Sequence, residues 1–331
     1  MKKELAVFAE TISCLKEKGL DPVVVAMGVF DGVHLGHGKL LRELAVMAQK
    51  LSAHPVAVTF FPHPRSVLSP EKAPLLLLPP AEKIRLLKEN GAEEVVTLPF
   101  TKEFSLLSPE EFLDRFLFGQ GVDVRGICVG KNWRFGRGGK GDTSFLEKEA
   151  ERRAFLFKAV EELRLKENGR VISSSAIREN IAAGRLAEAQ EMLGRPYRLC
   201  GTVEEGYHVA GSVLGTPTAN LRLEYGVLPP LGVYAARVET GNKTFPAAMN
   251  VGVAPTFEKE YGKISPRVEL HLLSRPEGPL YGKYVSAEIV SFIRKERKFD
   301  SPELLKEQIG KDISEIGKVL AEKSVKKKRE E

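Results

Sequence analysis

The segment GVFDGVHLGH (28–37) carries the residue types of a phosphate-binding turn. It follows a short apolar run and precedes a helical pattern, so it lies where a strand gives way to a helix N-terminus. Backbone N–H groups and the helix dipole favour an anion there, and glycines let the backbone approach a phosphate closely. His34 and His37 can both donate to phosphate oxygens. The alternatives are a metal pair, which lacks a third ligand nearby, and two histidines that cap the helix.

A second segment, ISSSAIR (172–178), has similar chemistry. Three hydroxyl groups stand at a predicted helix start, and Arg178 follows one turn later, which again suits an anion. Serine clusters also cap helices without binding a ligand. The segment is therefore informative chiefly in combination with the first, since together they give two anion-binding helix starts.

The basic and glycine-rich segment GKNWRFGRGGKGD (130–142) allows several interpretations. Its glycines match GxGxxG, but the strand-turn-helix context of a dinucleotide fold is missing. A P-loop is excluded because Gly141 follows Lys140 where Ser or Thr is needed. Trp133 and Phe135 among basic residues are compatible with stacking on nucleic acid. We favour a flap over a nucleotide phosphate.

Two patterns in the second half place polar side chains on strands. In GTPTAN (215–220), Thr218 and Asn220 face one side of a strand, and their oxygens suit Mg²⁺ that carries phosphates. In VELHL (268–272), the leucines predict a core face, so Glu269 and His271 share the other face. From these residues alone, an ordinary strand after a turn and a solvated strand face are the simpler interpretations.

The elements around these motifs differ between the two halves. Apolar, β-branched runs alternate with helical patterns at first, which predicts a parallel, doubly wound sheet. From about residue 197 short strands follow one another, which predicts a small barrel or sandwich closed by a helix over 302–320. The predicted strands of the first half are 22–30, 56–61, 94–98 and 126–129. Those of the second are 198–203, 232–239, 245–251, 267–273 and 284–293.

Composition narrows the class of protein. The 331 residues suggest roughly two domains, and 43% hydrophobic with 28% charged residues exclude disordered, collagen-like and coiled-coil chains. No apolar run approaches the roughly 20 residues of a membrane helix. Three dispersed cysteines without a CxxC pair indicate free thiols, and we expect a cytoplasmic protein. A net charge of +6 allows an anionic ligand without demanding nucleic acid.

Taken together, HLGH, ISSSAIR, FPHP (61–64) and VGKNWRFG (129–136) resemble the adenylyltransferase module of prokaryotic bifunctional riboflavin kinase/FAD synthetases. PTAN, PLGVY (230–234), NVGVAPTF (250–257) and IRKERKF (293–299) resemble the riboflavin kinase module of the same family. The resemblance covers residues 20 to 312. It implies an α/β Rossmann-like nucleotidyltransferase domain with a parallel sheet, then a small six-stranded antiparallel β-barrel with a C-terminal helix. The implied domains are 1–193 and 194–322, followed by a basic tail at 323–331.

The family pattern also implies roles for individual residues. The catalytic residues would be His34, His37, Arg178 and Glu269, with Glu269 as the base that deprotonates the ribityl hydroxyl. Nucleotide binding would fall to Gly28, Phe30, Asp31, Gly32, Gly36, Asn132, Ser173, Ser174, Gly211 and Gly215. Flavin binding would fall to Phe61, Pro62, His63, Arg294 and Arg297, and the metal ligands would be Thr218 and Asn220.

The implied enzyme phosphorylates riboflavin to FMN with ATP and then adenylates FMN to FAD, releasing pyrophosphate. Mg²⁺ is the implied metal cofactor, and riboflavin, FMN and ATP are the small-molecule partners. No nucleic-acid or membrane partner is expected, and the sequence does not indicate an oligomeric state.

The chain departs from the family pattern at several positions. Val29 replaces a frequent Asn, Asn132-Trp133 replace a common Asp-Phe, and Ser212 and Thr216 replace Arg and Phe ahead of PTAN. Glu204-Glu205 add acidic charge before Gly206. The alternatives are an FAD synthetase with an impaired kinase module and a non-catalytic flavin- or RNA-binding regulator.

Overall fold

The computed structural model of the protein describes residues 12–205, 218–253, 266–274, 278 and 280–330. Contacts between residues divide the chain into two compact units. The first unit runs to Leu75 and continues over Pro80–Ser174; the second takes Leu76–Pro79 and the chain from Ser175 onward. The boundary at 193/194 stays a prediction.

The first unit is built on a parallel sheet. Its described residues form five strands in the order β3-β2-β1-β4-β5, and every neighbouring pair is parallel. The strands are β1 (Val23–Met27), β2 (His54–Phe61), β3 (Glu94–Pro99), β4 (Val124–Gly130) and β5 (Leu156–Val160). The strand order reverses between β1 and β4, and ligands of such sheets bind beyond the carboxyl ends of the strands at that point.

The central strand explains why the sheet forms. β1 is a continuous apolar run, VVVAM, and all five residues are buried, as expected for a parallel strand covered on both faces. The predicted strand over 22–30 ends at Met27, because Phe30 adopts a positive φ of 53° and the chain turns away. The edge strand β5, whose exposed and half-buried residues alternate, was missed by the sequence analysis.

Helices connect the strands and cover the sheet. Helix α6 begins after Ser108, and Ser108 and Glu111 form a reciprocal capping box. The helices through the first unit are α1 (Cys14–Glu17), α2 (Leu35–Lys50), α3 (Pro64–Leu68), α4 (Pro80–Glu89), α5 (Lys102–Ser105), α6 (Pro109–Phe116) and α7 (Thr143–Arg153). Two further helices follow, α8 (Ser174–Ala182) and α9 (Leu186–Leu193).

The second unit contains an antiparallel barrel. Its described residues close into six strands in the order β10-β7-β6-β11-β8-β9, which confirms the barrel prediction. The strands are β6 (Arg198–Glu205), β7 (Thr218–Leu223), β8 (Gly232–Thr240), β9 (Lys243–Val253), β10 (Pro266–Leu272) and β11 (Tyr284–Lys295). Closure leaves no unpaired edge strand between these six.

The C-terminal helix α10 (Pro302–Glu330) packs against the barrel, and the hydroxyl of Ser301 accepts from the N–H of Leu304 at its start. Ile316 and Leu320 are buried with Val233, Ala235 and Val290 in one apolar cluster. Among the described residues, no helix has both the length and the hydropathy that crossing a bilayer requires.

Candidate active sites in the two units

The turn after β1 has a backbone that few residues tolerate. Phe30 and Val33 have positive φ values of 53° and 38°, and Gly32 has a φ of 81°. A Cβ at Gly28 would lie 2.9 Å from the ring of Phe30, so glycine is required where the ring folds back over the turn. Such strain in a β-branched and an aromatic residue is typical of ligand-binding turns. The turn thereby brings the chain directly into α2.

The two histidines of HLGH cap that helix reciprocally. The backbone N–H of His37 donates to Nδ1 of His34, and the backbone N–H of His34 donates to Nδ1 of His37, each at 3.3 Å. The rings stack with centroids 3.6 Å apart. Because each Nδ1 is an acceptor, the proton of a neutral ring lies on Nε2. Helix capping therefore fixes two parallel Nε2–H donors at the N-terminus of α2.

The serine segment lies beside this turn. The hydroxyl of Ser174 donates to the carbonyl oxygen of Asp31 at 2.8 Å. A Cβ at Gly36 would lie 3.6 Å from the carbonyl oxygen of Ile172, so the two segments are close to contact. Ser173 directly precedes Ser174 and is half-buried. Arg178 stands one turn into α8, in the second contact unit, so its relation to the histidines stays a prediction.

The segment over 130–142 is held by one internal bridge and by contacts with Glu162 and Phe60. Phe135 and Gly141 form an antiparallel bridge, and Asn132 donates to the Glu162 carboxylate at 2.7 Å. Trp133 stacks on Phe60 with centroids 6.0 Å apart. The aromatic residues of this segment thus pack inward, which removes the support for nucleic-acid stacking. A nucleotide role for Asn132 stays a prediction.

The predicted flavin residues of the first unit follow β2. Phe61 ends that strand, and its carbonyl oxygen accepts from the N–H of Phe100 at 2.9 Å. Pro62 follows a cis peptide bond. His63 caps α3, because its Nδ1 accepts from the N–H of Arg65 at 3.1 Å. β1 and β2 are adjacent parallel strands, so the 61–63 segment and the HLGH turn leave the same edge of the sheet.

Sequence analysis missed Lys83, which is buried on α4 with 8% of its surface exposed. Its ammonium group donates to the carbonyl oxygen of Val29, in the turn after β1. A signal was present, because Lys83 stands three and four residues before the buried Leu86 and Leu87. That spacing places it on the apolar face of its helix.

In the barrel, polar side chains share one row across three strands. Glu269 on β10 is in register with Asn220 on β7 and with Asn250 on β9. Burial raises the pKa of Glu269; the charge of Arg267 opposes that rise, and the charge of Glu296 adds to it. A carboxylate of raised pKa in a row of amides is suited to accept a proton near neutral pH.

The neighbours of this row are partly described. Thr218 begins β7 and pairs with His271 through the backbone. The predicted nucleotide residues Gly211 and Gly215 lie outside the described residues, as do Ser212 and Thr216. The departure at Glu204 is compensated locally, because its carboxylate lies 3.3 Å from the guanidinium of Arg222.

Arg294 and Arg297 are the arginines that the sequence predicts for flavin binding. In the structure, both lie against residues of α10. Arg294 donates from Nε to both carboxylate oxygens of Asp312 at 3.0 and 2.9 Å, and its Nη2 lies 2.8 Å from Oδ2. Arg297 donates to Gln308, and its guanidinium lies 4.7 Å from the ring centroid of Phe299. Arg294 therefore holds the helix against β11, whereas Arg297 is on the exposed side.

Comparison with known proteins assigns each half to a family. Residues 16–176 match the family model for FAD synthetase, and residues 193–320 match the model for riboflavin kinase. The chain is 34% identical to the bifunctional riboflavin kinase/FMN adenylyltransferase of Bacillus subtilis, over 88% of this chain and 90% of that protein. The protein of the same description from Pseudomonas fluorescens is 35% identical over 88% and 91% of the two chains.

A solved structure from Streptococcus pneumoniae, described as a macrolide-efflux protein, also resembles the chain. It has a TM-score of 0.75 and 31% identity, and the match covers 88% of this chain and 92% of that one. The match therefore extends over both halves of this chain.

Proposed function

The chain belongs to the family of bifunctional riboflavin kinase/FMN adenylyltransferases, and from that premise we propose how its two halves divide the chemistry. The chain phosphorylates riboflavin to FMN and adenylates FMN to FAD, with ATP and flavins as substrates. We assign adenylyl transfer to residues 1–193 and phosphorylation to residues 194–322, followed by a basic tail at 323–331. We expect a cytoplasmic enzyme without a nucleic-acid partner.

In the first half, the FMN phosphate attacks the α-phosphorus of ATP in line and pyrophosphate leaves. The protein forms no covalent intermediate, so positioning and charge stabilisation supply the catalysis. The Nε2–H groups of His34 and His37 donate to the phosphates at the N-terminus of α2. Arg178 stabilises the charge that develops as pyrophosphate departs.

The nucleotide lies along the turn that the histidines follow. The residues that form this turn and its surroundings hold the phosphates at close range or line the nucleotide pocket. We assign this role to Gly28, Phe30, Asp31, Gly32, Gly36, Asn132, Ser173 and Ser174. The flavin of FMN takes the side of the 61–63 segment, because that segment leaves the same sheet edge from the adjacent strand.

In the second half, Glu269 accepts the proton of the ribityl 5′-hydroxyl as that oxygen attacks the γ-phosphorus of a second ATP, and ADP leaves as the bond to the β,γ-bridging oxygen breaks. Thr218 and Asn220 would hold Mg²⁺, and hard oxygen donors on the strand beside the base fit this ion. When bound, Mg²⁺ neutralises charge on the phosphates. Gly211 and Gly215 would allow the nucleotide to approach the backbone.

Arg294 and Arg297 were both predicted to contact the flavin. We propose that Arg297 contacts the flavin phosphate directly, because Arg294 already binds the carboxylate of Asp312 through Nε and Nη2. Arg294 then acts on the flavin site by holding α10, the helix that covers this side of the barrel.

The hydrogen bond from Ser174 to Asp31 carries the adenylyltransferase proposal, since it joins both anion-binding helix starts. The test is to incubate the purified chain with riboflavin, ATP and Mg²⁺, to separate the flavins by chromatography, and to repeat from FMN. Both FMN and FAD should appear, and chelation of Mg²⁺ should stop both steps. FAD from FMN with riboflavin untouched would instead indicate an impaired kinase. Flavin binding without turnover would indicate a regulator.

A further inference from the structure

Lys83 is a lysine in a position that disfavours a charge. It lies on α4 with 8% of its surface exposed. Removing an ammonium group from water costs several kcal/mol unless hydrogen bonds replace the water. Burial lowers the pKa of Lys83 to about 8, and the negative charge of Asp31 only partly opposes the decrease. The lysine is thus retained at a cost to stability, which points to a role that an apolar residue cannot fill.

The surroundings of the ammonium group match its three donors. Nζ lies 3.0 Å from Oγ1 of Thr59, 3.3 Å from the carbonyl oxygen of Val29 and 3.5 Å from that of Phe60. The Thr59 hydroxyl itself donates to the Val29 carbonyl at 3.1 Å, so its lone pairs remain for Lys83. All three neighbours are acceptors, and a protonated lysine offers three donors. The neutral amine would lose one of them.

The three acceptors of Lys83 lie near the carboxyl ends of two neighbouring strands, β1 and β2. Val29 belongs to the strained turn that leads from β1 to His34, and Phe60 is followed by the 61–63 segment at the end of β2. One cation therefore ties together the segment assigned to the triphosphate and the segment assigned to the flavin. Their separation determines whether the FMN phosphate lies in line with the α-phosphorus.

We propose that Lys83 is a positioning residue for adenylyl transfer, holding the turn after β1 and the end of β2 at the spacing that in-line attack requires. The proposal rests on the function proposed above for the first half. Misplacement of reacting groups by about 1 Å costs on the order of 100-fold in rate. Lys83 contacts no substrate in this account, so its loss should appear in kcat rather than in KM.

The first experiment compares Lys83→Met with the full-length wild-type chain, using FMN and ATP as substrates. We expect kcat for FAD formation to fall by ~10–100-fold while KM for FMN and ATP change by less than ~3-fold. Lys88→Met is the matched control, because Lys88 is an exposed residue of the same helix, 2.8 Å from Glu94. It should retain the wild-type kcat. A Lys83→Met enzyme with wild-type kcat would overturn the proposal.

The second experiment uses pH to separate positioning from simple packing. The protonated form is the one with three donors, so kcat for adenylyl transfer should fall as the pH rises through about 8. Lys83→Arg stays charged, so its kcat should persist through that range. The charged group that acts on Lys83 is Asp31. The neighbouring strand β2 contributes Thr59, and β3 contributes Thr97 in register with it. Neither threonine titrates.

Whereas kcat should fall as the pH rises through about 8, the free energy of unfolding should rise. The pKa of Lys83 is lower in the folded chain than in the unfolded chain, so the unfolded chain binds more protons above pH 8. The contribution of Lys83 to the free energy of unfolding therefore rises between that pH and about 10.4. A residue that served stability alone would not lose activity over this interval. If kcat of Lys83→Arg decreased with rising pH in the same way as the wild-type kcat, the proposal would be overturned.

A second variant keeps the test decisive if Lys83→Arg does not fold, as judged by the fluorescence of Trp133, the one tryptophan of the chain. Thr59→Val removes the central acceptor without changing side-chain size, so kcat should fall and the alkaline limb should move to lower pH. Unchanged kcat and an unchanged limb would overturn the proposal. Absence of FAD formation by the wild-type chain would instead refute the proposed function itself.

Discussion

The hydroxyl of Ser174 and the carbonyl oxygen of Asp31, 143 residues apart in the chain, lie 2.8 Å from each other. This hydrogen bond places the N-terminus of α8 beside the turn that enters α2. Each helix start presents backbone N–H groups and the positive end of a helix dipole. The Ser174 end of the second motif thus lies against the turn of the first, and the use of both for polyphosphate binding stays a prediction.

Replacing His37 with Ala should abolish FAD formation from FMN and leave FMN formation from riboflavin unchanged. The substitution removes one Nε2–H donor and also the acceptor for the N–H of His34. We expect kcat for adenylyl transfer to fall by ~100-fold or more, as for loss of a donor to developing charge. The measurement is initial-rate analysis of both steps by flavin chromatography.

His54→Ala is the control for that variant. His54 belongs to the same half of the chain but lies at the opposite end of β2 from the 61–63 segment. Its Nδ1 lies 2.8 Å from the carboxylate of Glu93. Its removal should leave both rates unchanged. Equal losses of FAD formation in the two variants would show that His37 matters for folding rather than for phosphate binding.

The sequence was most informative where function requires particular residue types at fixed spacing. HLGH and ISSSAIR predicted an anion site, and the structure joins the two segments. Apolar continuity predicted β1, and short alternating strands predicted the barrel. These features are local in the chain, so periodicity and turn residues are sufficient to find them.

Features that depend on distant partners were not predictable. The sequence predicts Arg294 as a flavin contact, which stays a prediction, and only the packing of α10 shows that its guanidinium binds the carboxylate of Asp312. For Lys83 the sequence shows only its place on the apolar face of α4, because its acceptors are two backbone carbonyls and a threonine that no sequence pattern marks. A charged residue on the apolar face of a helix therefore indicates buried partners that the sequence alone does not identify.

Replacing Glu269 with Gln should abolish phosphorylation of riboflavin and spare adenylation of FMN. A missing general base costs ~10²–10⁴-fold in rate. Glu224→Gln, an exposed glutamate after β7, is the matched control and should keep both activities. Loss of FAD formation from FMN in Glu269→Gln would contradict the division of labour between the two halves.

The pH dependence of the kinase step should show the raised pKa of Glu269. The base acts when deprotonated, so kcat falls as the pH decreases through a pKa that burial holds above its ordinary value. Glu296→Gln removes a carboxylate that raises this pKa further, so the acid limb should move to lower pH. A limb that does not move would assign the titration to another group.

Replacing Arg153 with Met should destabilise the first half more than replacing Arg152. Both arginines bind Glu149, but Arg153 is 14% exposed and also lies 2.7 Å from Asp114, whereas Arg152 is 59% exposed. Losing the less exposed partner should lower the free energy of unfolding by ~1–3 kcal/mol. Urea unfolding followed by Trp133 fluorescence measures the difference, and equal effects would contradict the role of burial.

The same ion pairs predict an acid dependence of stability. Hydrogen bonds from Arg152 and Arg153 lower the pKa of Glu149 to about 2 despite burial. The folded pKa lies below the unfolded value, so the stabilisation is complete above about pH 4.3 and is lost as the pH falls toward the folded value. The stability difference between the wild type and Arg153→Met should shrink over that range.

Replacing Asp312 with Ala tests what holds α10 on the barrel. Asp312 is 4% exposed, binds Arg294, and accepts from Gln308 at 2.7 Å. Its loss leaves the guanidinium without its carboxylate and should lower the free energy of unfolding by ~2–4 kcal/mol. Glu315→Ala, on the exposed side of the same helix, should have little effect.

Comparison of Asp312→Asn, Arg294→Met and the double variant separates the two roles considered for Arg294. If Arg294 acts by holding α10, the single variants should weaken FMN binding similarly, and the double variant should weaken it little further. If Arg294 contacts the flavin phosphate, Arg294→Met alone should raise the Kd for FMN well beyond the effect of Asp312→Asn. Quenching of flavin fluorescence measures each Kd. Because the guanidinium already has a buried carboxylate partner, we expect the first pattern.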